Sequence, residues 1–147
     1  MSKIVIIGAG AMGSAFAIPC LDNNHDINII GTHLENDFID NLKKNKNFHS
    51  GLNTQIPEEI KIFKFEKFNQ LLESNVDLIV LGISSKGIKW ASDQLSQIYK
   101  AGNIPNILML TKGLSIHENN YELLVDKLKR LLSSRGITKT NISAVGG

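Results

Sequence analysis

Lys3-Ile4-Val5-Ile6-Ile7-Gly8-Ala9-Gly10-Ala11-Met12-Gly13 is the stretch that decides how the rest of the chain is read. The four β-branched apolar residues Ile4 to Ile7 predict a short strand buried on both faces, the pattern of a parallel sheet. Three glycines follow with the spacing G-x-G-x-x-G, and the small residues Ser14, Ala15 and Ala17 open a helix behind them. Strand, glycine turn and helix in that order form a dinucleotide-binding fingerprint. Gly8 makes the tight turn, Gly10 lets the backbone approach a pyrophosphate, and Gly13 allows the helix to pack closely on the strand. The first amides of the helix and its positive dipole end then hold the phosphates.

Length and composition agree with one domain: 147 residues, 42% hydrophobic and 20% charged, as in ordinary soluble globular chains. A net charge of +2 mildly suits anionic ligands. With no basic stripe interleaved with aromatics, nucleic acid is not expected as a partner. Cys20 is alone, which excludes a disulfide framework and a thiolate metal site and suits a reducing cytoplasm. No apolar run approaches the ~20 residues of a membrane span, and the apolar start lacks the length and cleavage site of a signal peptide. His25, His33, His49 and His117 show no H-x-x-x-H spacing, so no metal is expected.

Along the chain, residues 11–23 predict a helix with Met12, Ala15, Phe16 and Ile18 inward, kinked or ended early by Pro19, with Cys20 in the core. Residues 27–30 predict the second strand. The residue just past that strand selects between NAD and NADP: an acid bonds the ribose 2′-hydroxyl, an arginine accepts the 2′-phosphate. About 18 residues beyond Gly13 lies Gly31-Thr32-His33, which holds neither, while Glu35 and Asp37 fall slightly too far along. Thr32 and His33 could serve either cofactor, so discrimination is expected within about tenfold, ~1.4 kcal/mol. His33 reads equally well as a surface turn histidine.

Residues 34–45 predict a short helix with Leu34, Phe38, Ile39 and Leu42 on one face, and residues 46–58 a long structureless loop. The lysine-interrupted strand 60–65 suits the sheet edge, as the third strand of the order 3-2-1-4-5-6. After a short helix at 68–74, strand 76–83 ends in Ser84-Ser85 at the carboxyl edge of the sheet, without a G-x-S-x-G elbow for a hydrolase. Ile88, Ala91, Leu95 and Ile98, with Trp90 and Tyr99 beside them, form a core-facing helical stripe rather than a cofactor cage. Strand 106–110 brings Lys112 to the same crevice, where it reads as a phosphate-holding or carbonyl-polarising charge or as a solvated loop lysine. A helix at 121–134 and a strand at 140–145 follow, and the chain stops at Gly146-Gly147 on the ligand side, so it reads as cut short.

Together these segments resemble the N-terminal domain of NAD(P)-dependent glycerol-3-phosphate dehydrogenase, over essentially the whole chain. The carrying segments are Gly8 to Ala17, Ile30 to His33, Val80 to Ser84, Leu110 to Leu114 and Ala144 to Gly147. The resemblance implies a Rossmann-type doubly wound α/β domain spanning 1–147, with NAD or NADP as cofactor and a small phosphorylated substrate. It implies cofactor contacts at Gly8, Gly10, Ala11, Met12, Gly13, Thr32, His33, Ser84 and Lys112, and substrate contacts at Lys112 and Gly147. Many relatives carry an aromatic where Met12 stands. It further implies a separate C-terminal helical domain bearing the catalytic residues, none of which lies in this chain, and a full-length form open to homodimerisation. Two other readings remain: another two-domain reductase of ketopantoate or hydroxy-acid type, and a non-catalytic dinucleotide-sensing module.

Overall fold

Ile4 and Ile6 face one side of the first strand and Val5 and Ile7 the other, and both sides are covered by helices. That is the physical content of the apolar run: a strand in the middle of a sheet with no solvated face. The computed structural model describes residues 1–103 and 105–146. In chain order it contains β1 (Lys3–Ile7), α1 (Ala11–Asp22), β2 (Asp26–Ile30), α2 (Asn36–Lys44), β3 (Phe48–His49), β4 (Thr54–Gln55) and β5 (Lys61–Phe63). There follow α3 (Phe68–Leu72), β6 (Leu78–Leu81), α4 (Ile88–Lys100), β7 (Asn106–Met109), β8 (Leu114–His117), β9 (Asn120–Leu123), α5 (Leu124–Ser133) and β10 (Ile142–Ala144).

Six strands form one parallel sheet in the order β10-β7-β6-β1-β2-β5. This is the expected doubly wound order, with the chain reversing direction between β1 and β6. Ala17 of α1 and Ile39 and Leu42 of α2 close one face over Ile4, Ile6, Ile27 and Ile29. The α3, α4 and α5 side chains Leu72, Leu95 and Leu128 close the other over Val5, Ile7 and Ile79. Strand β5 is outermost, and its Lys61 pairs with Asp26 at 3.2 Å, as charge at an exposed edge requires.

Several local expectations are overturned. In α1, Met12 and Ala15 point outward and the buried residues are Gly13, Ser14 and Ala17. The inward face is the small one because it lies directly on the sheet. The helix also runs through Pro19 to Asp22, near its end, where the Pro19 carbonyl accepts the Asn23 amide at 3.3 Å. Leu34 precedes α2 and is exposed. Residues 46–58 are not structureless: β3 and β4 form a small hairpin there, with Ile56 fully buried.

The start of the predicted 121–134 helix is strand instead. Glu118 and Asn119 both have positive φ, 49° and 64°, and form the two-residue turn of a β8–β9 hairpin. Its polar side faces α5, where Arg130 donates to both Glu122 oxygens at 3.2 and 2.6 Å. Its apolar side, Leu114, Ile116, Tyr121 and Leu123, is exposed.

The Arg130 bonds, aided by the Ser115 hydroxyl, pull the Glu122 carboxyl from its ordinary 4.5 down to about 2. A carboxyl lowered by folding stabilises the folded form above its ordinary value and ceases to do so as pH falls through the lowered one. The hairpin should therefore hold its place on α5 above pH 4.5 and loosen between 4.5 and about 2. Amide NMR of Ser115 and Tyr121 during acid titration checks this. Arg130→Ala should move the midpoint upward, and an unmoved midpoint would show that the ion pair does not anchor the hairpin.

Candidate functional site

Three glycines bring β1, α1 and β6 into backbone contact. A Cβ on Gly8, whose φ is +107°, would lie 2.4 Å from the Gly82 carbonyl oxygen. One on Gly13 would lie 2.6 Å from the Gly8 oxygen, and one on Gly82 2.9 Å from the Gly13 Cα. No real Cβ tolerates such distances to backbone, so this crossing admits only glycine. Gly10 differs: a Cβ there meets nothing within 4 Å. The space over Gly10 is open, as a site for an approaching ligand requires.

Gly10 is also the N-cap of α1, with extended backbone and no side-chain cap. The first helical bond is donated by Ser14 to the Gly10 oxygen at 3.0 Å. The amides of Ala11, Met12 and Gly13 precede it in the first turn, where α-helical amides have no intrahelical partner. Their donors and the positive end of the helix dipole lie together at the switch point of the sheet, an arrangement that suits an anion.

Beside it lies a cleft of about 330 Å³. Gly10, Thr32, His33, Glu35, Ser84 and Trp90 are among the residues that line it. The cleft thus gathers four of the sequence-derived candidates, Gly10, Thr32, His33 and Ser84. A slightly larger cavity of about 380 Å³, lined by Ser74, Asn75 and Asp77, lies at the opposite, amino ends of the strands. Ligands of doubly wound sheets bind outside the carboxyl ends, so the cleft at Gly10 is the candidate site.

Glu35, counted as slightly too far along the sequence, nonetheless brings its carboxylate to the cleft. The turn after β2 folds back, and the carboxylate accepts the Thr32 amide at 2.7 Å and the Ala9 amide at 3.2 Å from each oxygen. Gly31 permits this, since a Cβ there would lie 2.3 Å from the Ile39 Cδ1 and 3.4 Å from the Glu35 Cβ. The usual offset of about 20 residues had room for Glu35. What the count missed was the turn Thr32–Leu34, in which the Leu34 amide donates to the Thr32 hydroxyl at 3.3 Å.

His33 is an exposed turn residue, as one of its two readings has it, and its ring borders the cleft. Its ring stacks at 5.2 Å on Trp90 and meets Phe65 edge-on at 6.2 Å. Trp90, read from its spacing as core, is half-buried and forms a wall of the cleft with His33. Lys112 is exposed on the loop after β7, which the Thr111 hydroxyl ties to the Ile83 carbonyl at 2.8 Å, next to Ser84. Gly147 lies outside the described residues. Among the described residues, no group of three or more His, Cys, Asp or Glu is placed to hold a metal, and no helix is long and apolar enough to cross a membrane.

Comparison with known proteins agrees with the fold. Residues 3–144 match the family described as NAD-dependent glycerol-3-phosphate dehydrogenase N-terminus. The chain is 28% identical to an NADP(+)-dependent glycerol-3-phosphate dehydrogenase of Archaeoglobus fulgidus, over 87% of this chain and 36% of the relative. It is 30% identical to a glycerol-3-phosphate dehydrogenase [NAD(P)+] of Fusobacterium nucleatum, over 92% of this chain and 38% of the relative. In fold it is similar to the crystal structure of glycerol-3-phosphate dehydrogenase from Coxiella burnetii, with a TM-score of 0.72 at 18% identity, covering 99% of this chain and 41% of that one. The chain thus spans well under half the length of these relatives. With a match that runs through both the glycine turn and the last strand of the sheet, the chain belongs to the NAD-dependent glycerol-3-phosphate dehydrogenase N-terminus family.

Proposed function

We propose that this chain is the NAD(P)-binding part of an oxidoreductase that passes hydride between NAD(P)H and dihydroxyacetone phosphate or glycerol 3-phosphate, in a cytoplasmic setting. The observation that carries the reading is the uncapped α1 N-terminus at Gly10, open above and flanked by the 330 Å³ cleft at the switch point. The amides of Gly10, Ala11, Met12 and Gly13 face the pyrophosphate, with Gly8 shaping the turn beneath it. Thr32 and Glu35 face the adenosine ribose, and His33 with Trp90 offers aromatic surface beside it. Ser84 and Lys112 lie on loops at the carboxyl ends of β6 and β7, toward the nicotinamide and the substrate phosphate. When bound, the nicotinamide supplies the hydride; the protein's part is placement and charge. The chain spans well under half the length of its relatives, and we assign to that further length the opposite wall that excludes water and fixes the substrate.

Gly10→Val tests the phosphate site. Its backbone is extended and its Cβ position open, so the variant should melt as the native protein does while losing NADH and NADPH binding by calorimetry. Retained affinity would remove the site from this turn. For Glu35, the electrostatics give the sign, because a carboxylate in the ribose slot repels a 2′-phosphate. Glu35→Gln should raise the affinity ratio of NADPH to NADH about tenfold, ~1.4 kcal/mol. An unchanged ratio would place the ribose elsewhere. In an assay of NADH oxidation with dihydroxyacetone phosphate, these 147 residues alone should bind cofactor without turnover. Turnover by them would show that the further length of the relatives is dispensable for catalysis.

A further inference from the structure

The cleft makes no use of the one fully buried histidine. His49 is 2% exposed and stands on the β3–β4 hairpin, in the segment the sequence presents as an unstructured loop. Its Nδ1 lies 3.3 Å from the Leu52 backbone nitrogen, which can only donate, so Nδ1 is the acceptor. The neutral ring therefore carries its proton on Nε2, which lies 3.0 Å from the Ala9 carbonyl oxygen and donates to it. The Phe38 ring packs edge-on against the imidazole at 5.2 Å. At the hairpin tip, a Cβ on Gly51 would come within 3.2 Å of the ring and 3.7 Å of the Ala11 Cβ. The hairpin is thus wedged against the start of α1.

Ala9 is the residue between the first two fingerprint glycines. Its carbonyl takes a second bond from the buried Ser14 hydroxyl at 3.1 Å, while its own amide is held by Glu35. In a planar trans peptide the carbonyl of one residue and the amide of the next point in opposite directions. Two donors drawing the Ala9 oxygen toward the hairpin and α1 therefore turn the Gly10 N–H the opposite way, away from both.

We propose that His49 is a positioning residue for dinucleotide binding: its Nε2–H bond to the Ala9 oxygen locks the Ala9–Gly10 peptide in the orientation that presents the Gly10 amide to the phosphates. The inference rests on the reading of the Gly8–Gly13 turn as the phosphate site. It assigns the hairpin 48–55 a role, since nothing else in the chain delivers a side-chain donor to that oxygen besides Ser14 among the described residues.

The test has two readouts on the isolated chain. In the cofactor-free protein, the Gly10 amide resonance reports the peptide's orientation; calorimetry with NADH and with NADPH reports affinity. His49→Ala should shift the Gly10 resonance and weaken both cofactors at least about tenfold. His49→Gln, whose carboxamide can donate to the same oxygen, should restore the resonance and bring affinity back to within about threefold. A histidine that only supported the fold would lower the melting temperature without this paired loss and rescue. Should His49→Ala fail to fold, Ser14→Ala removes the other donor with a residue that favours helix and should move the same resonance and both affinities in the same direction. An unshifted Gly10 resonance in either variant, or native affinity in a folded His49→Ala, overturns the proposal. Native protein that binds neither cofactor would count against the phosphate-site reading instead, and the Gly10 resonance would still decide the lock.

Discussion

Backbone-on-backbone contact among Gly8, Gly13 and Gly82 sets the position of everything at the site. A helix normally stands off a sheet by the length of two side chains. Here the side chains are absent, so α1 descends until its first turn sits over the carboxyl ends of β1 and β6. The distances of 2.4 to 2.9 Å at the missing Cβ positions leave no room for a methyl group at any of the three. The parallel order β10-β7-β6-β1-β2-β5 then opens its crevice where that helix begins. Fold and site are one constraint at this point: the same glycines that let the layers close also aim the helix N-terminus at the ligand space.

How much of this could be read beforehand follows from where each signal is stored. The buried strands at Ile4–Ile7 and Leu78–Leu81 are visible because a strand covered on both faces must be apolar throughout. The edge position of β5 is visible in Lys61 within it and Lys64 just after it. The orientation of α1 is not, because the rule that large apolar residues face inward fails where the close approach needs small ones; Met12 is exposed for that reason. Both hairpins were hidden for another cause. Their turns rest on one or two residues with positive φ, Asn53 in one and Glu118 with Asn119 in the other, and short strands carry little periodicity. Asn119 was the legible part of that signal, since Asn tolerates the left-handed region.

Glu35, Trp90 and His49 reach the glycine turn or its cleft from elements that spacing treats separately. Each is placed by a turn or by the crossing of two layers. Glu35 depends on Gly31 letting the chain fold back against Ile39. Trp90 sits at the rim of a helix whose other residues, Ile88, Ala91 and Leu95, are core, so its face alone could not separate wall from interior. His49 is forty residues from the carbonyl it bonds. Local pattern finds the strand and the helix that make the cradle, and tertiary contact decides which side chains tune it.

Helix α1 begins without a polar cap. Serine, threonine or aspartate at the N-cap position would accept a bond from an amide of the first turn, giving the helix about 1 kcal/mol. On the proposed reading of the turn, that oxygen would take the place of a phosphate oxygen and use the same donors. Gly10 leaves them open and adds no bulk, since nothing lies within 4 Å of its missing Cβ. An uncapped, glycine-rich turn is by itself loosely determined. The compensation is found one residue earlier, where the Ala9 peptide is gripped from both ends: Glu35 on its amide, Ser14 and His49 on its carbonyl. Rigidity is thus supplied from beneath the turn while its upper surface stays unoccupied by the protein's own groups, which is what a site that binds by backbone amides needs.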